Sequence, residues 1–117
     1  MAADALFTPW SFKGLKLPNR VVMAPMTRSH SPGGVATEAV AQYYARRAEA
    51  EVGLIISEGT GVDRPVSLND PNVPRFHGES ELAGWKRVID AVHAKGGVMA
   101  PQLWHVGAVR SRHPDWQ

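Results

Sequence analysis

The 117-residue chain contains no cysteine. That excludes disulfides, thiolate catalysis and cysteine-ligated metals in one step. No apolar run approaches the roughly 20 residues that a membrane-spanning helix needs. Basic residues are scattered, with no run longer than Arg46-Arg47. Thirteen Lys plus Arg against eleven Asp plus Glu leave a formal charge of only +2. A nucleic-acid footprint is therefore not expected. The opening residues, Met1 to Asp4, lack the basic-then-apolar pattern of a secretion signal. What these absences leave is an ordinary globular composition, 44% hydrophobic and 21% charged, and the expectation of a cytoplasmic protein.

What is present is organised around Val22-Met23-Ala24-Pro25-Met26-Thr27-Arg28. Arg20 to Met26 reads as a parallel strand covered on both faces, and Pro25, which cannot donate to a ladder, should end it. A near copy, Val98-Met99-Ala100-Pro101-Gln102, returns 76 residues later. Before the first strand, turn residues flank two short segments, Trp10 to Phe12 and Leu15 to Leu17, that predict a small hairpin.

After it, Thr37 is the expected N-cap of a helix with Val40, Tyr43, Tyr44 and Ala48 on its apolar stripe, ended by Gly53. Leu54 to Gly59 predicts a second strand and Val62 to Glu79 a long loop. Ser80 is the expected cap of a second helix, with Leu82, Trp85, Val88, Ile89 and Val92 on one face and Lys95 and Gly96 as stop signals. Val98 to Trp104 predicts the third strand, and Gly107 to Gln117 a polar loop.

Strands alternating with helices predict a parallel α/β sheet, either doubly wound or an eight-fold barrel. Neither Gly-x-Gly-x-x-Gly nor a Walker loop follows the first strand, which favours the barrel. A TIM (β/α)8 barrel takes about 250 residues. The expectation is therefore the N-terminal portion of one, a short hairpin plus β-α-β-α-β, incomplete in this chain and marginal as a monomer.

Binding in such folds lies at the carboxyl ends of the strands. Here those ends offer Met26-Thr27-Arg28, Glu58-Gly59-Thr60 and Gln102-Leu103-Trp104-His105. A hydroxyl, a planar amide and a bare glycine suit a flat heterocycle with an imide-like edge. Converging carboxylates and a Ser/His/Asp set are both missing. Each residue also has a structural alternative. Thr27 caps a turn, Gln102 serves the strand end, Glu58 pairs with a cation, Arg28 makes a rim salt bridge, and Trp85 and Trp104 wall a core or pocket. His105 and His113 show no metal spacing, so no metal site is expected.

Five blocks then carry a resemblance: Leu6-Phe7-Thr8-Pro9 through Leu17-Pro18-Asn19-Arg20 to Arg28; Tyr43-Tyr44-Ala45-Arg46-Arg47-Ala48; Leu54-Ile55-Ile56-Ser57-Glu58-Gly59-Thr60; Ala91-Val92-His93-Ala94-Lys95-Gly96-Gly97; and Gln102-Leu103-Trp104-His105-Val106-Gly107. In this order and spacing the chain resembles the opening of the Old Yellow Enzyme family. The resemblance implies an FMN-dependent ene-reductase that oxidises NADPH or NADH and passes hydride through the flavin to a small-molecule activated alkene.

It also implies roles for individual residues. Thr27 would hydrogen-bond the flavin carbonyl beside the reactive ring nitrogen. Main chain at Pro25 and Met26 would lie along the ring, with Gly59 close to it. Gln102 would hold the pyrimidine edge, and Trp104 would shape the substrate pocket. The family's substrate-gripping His/His or His/Asn pair, its proton-donating tyrosine, the arginine beside the flavin and the phosphate loops match no block here, so no catalytic residue is expected in this chain. Residues 1–117 then read as part of a single FMN-binding domain that needs the remainder of the barrel. Two alternatives stand beside this. One is a non-catalytic assembly module completed by a partner chain or by self-association into an oligomer through open strand edges. The other is an aldolase or isomerase barrel relying on Glu58.

Overall fold

A computed structural model describes residues 2–109. A 3-10 turn, Ala2–Phe7, leads into an antiparallel hairpin of β1 (Trp10–Phe12) and β2 (Leu15–Leu17), the two segments expected to pair. The chain then alternates β3 (Val22–Met23), α1 (Glu38–Glu49), β4 (Leu54–Gly61), α2 (Glu79–Ala94) and β5 (Met99–Trp104). The last three strands form one parallel sheet in the order β3-β4-β5. Among the described residues no helix is long and apolar enough to cross a membrane.

The core lies between the sheet and the two helices. Val40, Ala41, Tyr44 and Ala48 of α1 meet Trp85, Val88 and Val92 of α2 over Ile55 of β4, with Met23 and Met99 at the margin. Burying each of the larger side chains stabilises the fold by about 1.5–3 kcal/mol. Thr37 caps α1 as expected, its hydroxyl accepting from the Val40 N–H at 3.4 Å. Leu82 departs from the expected stripe and stays exposed at the flank of α2.

Three expectations need correction. β3 is not covered on both faces: Met23 packs on the core, but Val22 and Met26 are half exposed. The described residues put helices against one face of this sheet, while Trp10, Leu15 and Leu17 of the hairpin line a hollow with Val22 and Leu54 at the start of the other. Regular pairing also stops at Met23. With the Leu54 N–H on Val21 O, the register makes residue 25 the next donor, and proline has none. Ser80 does not cap α2. Gly78 is the N-cap, and Ser80 sits inside the first turn. Finally, Gly53 does not end α1. The helix stops at Glu49, and Glu51 takes the left-handed turn with φ 63°.

Gly53 is glycine for a different reason. A Cβ there would lie 2.3 Å from Asn19 Oδ1 and 2.7 Å from Asn19 O. Asn19 is the staple between hairpin and helix: its amide donates to Glu51 O at 2.7 Å, and its Oδ1 accepts from the Val21 N–H at 3.0 Å. The loop after β4 is likewise better ordered than its composition suggests. Leu68 and Val73 are buried in it, and the Gly61 N–H reaches Pro74 O at 2.9 Å. Gly53→Ala should destabilise the chain by about 1–3 kcal/mol through overpacking. An unchanged urea midpoint would refute that close approach.

Candidate functional site

β5 carries a proline in mid-strand, and β4 bulges opposite it. Ile56 pairs with Ala100 and Gly59 with Gln102, so Ser57 and Glu58 together face Pro101. The backbone groups freed there are taken up by side chains. The Ser57 hydroxyl accepts from the Gln102 N–H at 3.2 Å and donates to Glu58 O at 2.7 Å. The Tyr44 hydroxyl accepts from the Glu58 N–H at 2.8 Å. Buried main-chain polar groups are almost always paired, and here two side chains do the pairing.

The bulge also decides where Glu58 goes. Its side chain is fully buried on the α1 side of the sheet, with Oε1 2.6 Å from a guanidinium nitrogen of Arg28. Oε2 accepts from the Arg28 main-chain N–H at 3.2 Å. The guanidinium carbon lies 3.7 Å from the centre of the Tyr43 ring and 4.8 Å from that of Tyr44. Arg47 stands 3.6 Å from the centre of the same Tyr43 ring. Glu58 thus pairs with a cation, and Arg28 is the rim salt-bridging residue, as the structural alternatives held. A carboxylate held in this way is unavailable to an aldolase or isomerase site.

The opposite face of the sheet has another character. Met99 packs on the core, so the two-residue period of a strand turns Ala100, Gln102 and Trp104 the other way. Gly59 and Gly61 stand beside Gln102 and Trp104 in the register. A Cβ on Gly59 would lie 2.4 Å from Trp104 Cε3, so it is the indole, lying on bare main chain, that requires glycine here. Thr60 points to the helix side, where its hydroxyl and Arg75 O accept from the Trp85 indole N–H at 3.2 and 3.1 Å.

The rim therefore gathers Gly59, Gln102 and Trp104 on one face of two paired strands. Pro25, Met26 and Thr27 follow β3 on the neighbouring strand, with Met26 and Thr27 exposed and Pro25 half-buried. Neither the Thr27 hydroxyl nor the Gln102 side-chain amide has a hydrogen-bond partner among the described residues, whereas Ser57, Glu58, Thr60, Tyr44 and Trp85 all do. Open donors and acceptors beside side-chain-free backbone fit the polar edge of a flat ring. An apolar hollow of about 320 Å³, lined by Phe76, Leu82, Trp85, Ile89, Met99 and Pro101, lies away from these residues. No group of acidic and histidine side chains among the described residues could hold a metal. His113 lies outside the described residues.

Ser57 and Tyr44 are the contributors that sequence reasoning missed. A proline inside a strand is the signal of a sheet edge or a bulge. A tyrosine on a buried helical stripe is the signal that its hydroxyl has a partner.

Parallel strands interleaved with helices on one face, and a polar rim at the strand ends, make this the opening of an eight-stranded α/β barrel. The chain belongs to the NADH:flavin oxidoreductase / NADH oxidase family, whose sequence profile matches residues 5–114. It is 47% identical over 112 residues to 12-oxophytodienoate reductase 7 of Oryza sativa subsp. japonica, covering 96% of this chain and 27% of that protein. Among solved structures, morphinone reductase in complex with tetrahydroNAD superposes with a TM-score of 0.86 at 46% identity, over 97% of this chain and 31% of that one. Old Yellow Enzyme from Pichia sp. AKU4542 gives a TM-score of 0.83 at 34% identity, over 92% of this chain and 28% of that one. The chain thus spans less than a third of the length of these relatives.

Burial raises the pKa of the Tyr44 phenol above its ordinary value near 10; its bond from the Glu58 N–H and the Arg28 charge oppose the shift without cancelling it. In the unfolded chain the phenol ionises first, so stability should fall as pH rises through and above about 10. Tyr44→Phe should flatten that fall, while costing about 1–3 kcal/mol at neutral pH by orphaning the Glu58 N–H. Urea melts of both proteins at neutral and alkaline pH check this; parallel alkaline slopes would contradict it.

Proposed function

We propose that residues 1–117 form the N-terminal part of a single FMN-binding (β/α)8 barrel domain. The whole domain reduces small-molecule alkenes activated by a neighbouring carbonyl, with electrons drawn from NADPH or NADH. The observation that carries this reading is family membership across residues 5–114, nearly the full chain. The geometry supports it, because the polar side chains left without partners lie on the rim where a flat ring would be held. Cytoplasmic residence belongs to the same reading.

FMN, when bound, supplies two-electron chemistry between the nicotinamide and the alkene. This chain supplies the holding groups. Thr27 meets the polar edge of the ring, where a hydrogen bond tunes reduction potential. The Gln102 amide offers a donor and an acceptor in one plane to the pyrimidine edge. Main chain at Pro25 and Met26 would lie along the ring, and Trp104, whose indole covers Gly59, would wall the substrate pocket. The proton donor, the grip on the substrate carbonyl and the phosphate site come from the remaining strands. A second reading, a non-catalytic module completed by a partner chain, draws on the open β3 and β5 edges and on half-exposed Val22, Met26 and Leu103.

The test is direct. The eight-stranded protein, incubated with FMN and desalted, should retain flavin absorbance, bleach with NADPH or NADH, and recover its colour when given an α,β-unsaturated ketone. A colourless protein sinks the reading. In that protein Gln102→Leu should weaken FMN retention by about 1–3 kcal/mol, as loss of a buried polar partner does. Thr27→Ala should keep FMN bound but slow its reduction; unchanged half-reaction kinetics would remove Thr27 from that role.

A further inference from the structure

Thr27 has a task and no visible support. Its hydroxyl bonds to nothing among the described residues, and its side chain is exposed. Regular pairing of its strand ends four residues earlier, at Met23. Just past it the backbone turns through the left-handed region at Ser29, φ 54°. A threonine on such a segment needs an external anchor to be held to the tolerance that a hydrogen bond to a ring demands.

The adjacent residue provides one. Both oxygens of Glu58 are engaged by Arg28, one by the main-chain N–H at 3.2 Å and one by the guanidinium at 2.6 Å. This is a two-point clamp on the residue that follows Thr27. The main-chain bond stands in for the ladder that Pro25 interrupts. The guanidinium is fixed in turn between carboxylate and rings, 3.7 Å from the centre of Tyr43. The carboxylate is fixed because the bulge opposite Pro101 turns Glu58 toward α1, with its N–H on Tyr44. Each link of this chain is a direct contact of buried or half-buried groups, and it terminates one peptide from Thr27.

A buried ion pair is poor evidence for net stability, because desolvation opposes the attraction, and its value lies in position. We infer that Glu58, acting through Arg28, is a positioning residue that sets the Thr27 hydroxyl against the bound ring. This rests on the FMN reading above and assigns Glu58 no contact with cofactor or substrate.

A double-mutant cycle in the eight-stranded protein tests it, with the midpoint potential of bound FMN as the readout. Glu58→Gln keeps shape and one acceptor but cannot serve both Arg28 donors. It should lower the potential in the same direction as Thr27→Ala, and slow flavin reduction by about two- to tenfold, the range of one net hydrogen bond. The double variant should match Thr27→Ala alone, since the clamp has nothing left to position. Additive shifts, or a Glu58→Gln potential equal to that of the parent, would overturn the inference. If Glu58→Gln fails to fold by circular dichroism, Arg28→Lys takes its place, keeping the charge while losing the fork and ring stacking. The same non-additivity with Thr27→Ala is then expected, and additivity overturns the inference there too. A parent protein that binds no FMN overturns the functional reading itself, and this inference with it.

Discussion

One bulge, in β4 opposite Pro101, governs the upper half of this sheet. Alternate residues of β5, Ala100 and Gln102, turn their N–H groups to β4, so Pro101 lacks its hydrogen on the unpaired edge, and two residues of β4 bow out opposite it. That extra residue shifts the alternation of β4, so the side chains above the bulge lie on different faces from those an unbroken strand would give. Ile55 points to the helices and so does Thr60, five positions on, which an uninterrupted two-residue period forbids. Gly59 consequently faces the same way as Gln102. Without the bulge the glycine would face the core and a polar residue would take its place beside Trp104.

Pro25 interrupts the ladder on the other flank. β3 loses a ladder donor at Pro25, while beside β5 the bulge moves the acceptor of the Gln102 N–H, and in both places a side-chain atom takes over. Ser57 Oγ receives the Gln102 N–H on one side, and Glu58 Oε2 receives the Arg28 N–H on the other. The substitutes come from consecutive residues of the bulge. One local irregularity thus supplies both substitute acceptors, and the two outer strands are free to leave the sheet and present their next residues at the rim.

The sequence made the strands, the helices, the hairpin and the barrel class legible, because each rests on periodicity and turn chemistry that local residues carry. Thr37 as a cap and the Trp10–Phe12 and Leu15–Leu17 pairing are of this kind. What stayed hidden depends on contacts between distant segments. Gly53 reads as a helix stop, but its close approach to Asn19 is visible only when hairpin and helix end are brought together. Gly59 reads as a platform for a ligand, yet the group lying on it is Trp104, 45 residues along the chain. The candidate rim residues came largely from family resemblance, since spacing alone left Thr27, Gln102 and Glu58 each with a structural alternative. For Glu58 that alternative is the one found.

The same sorting explains why a rim so rich in polar side chains is not simply a solvated strand end. Polar groups on the helix side are used up by the fold: Glu58 by Arg28, the Tyr44 hydroxyl by a main-chain N–H, the Thr60 hydroxyl by the Trp85 indole. A low-dielectric interior makes breaking any of these pairs costly, so these polar groups are not free to serve a ligand. On the other side, Gln102 and Thr27 keep their hydrogen-bonding capacity beside two glycines and an indole. These groups are neutral, and the charge on neighbouring Arg28 is already matched by Glu58 within the sheet. A face of this kind discriminates by the directions of donors and acceptors around a plane. Its selectivity therefore depends on how rigidly those groups are aimed, which returns the burden to the bulge and to the carboxylate it turns inward.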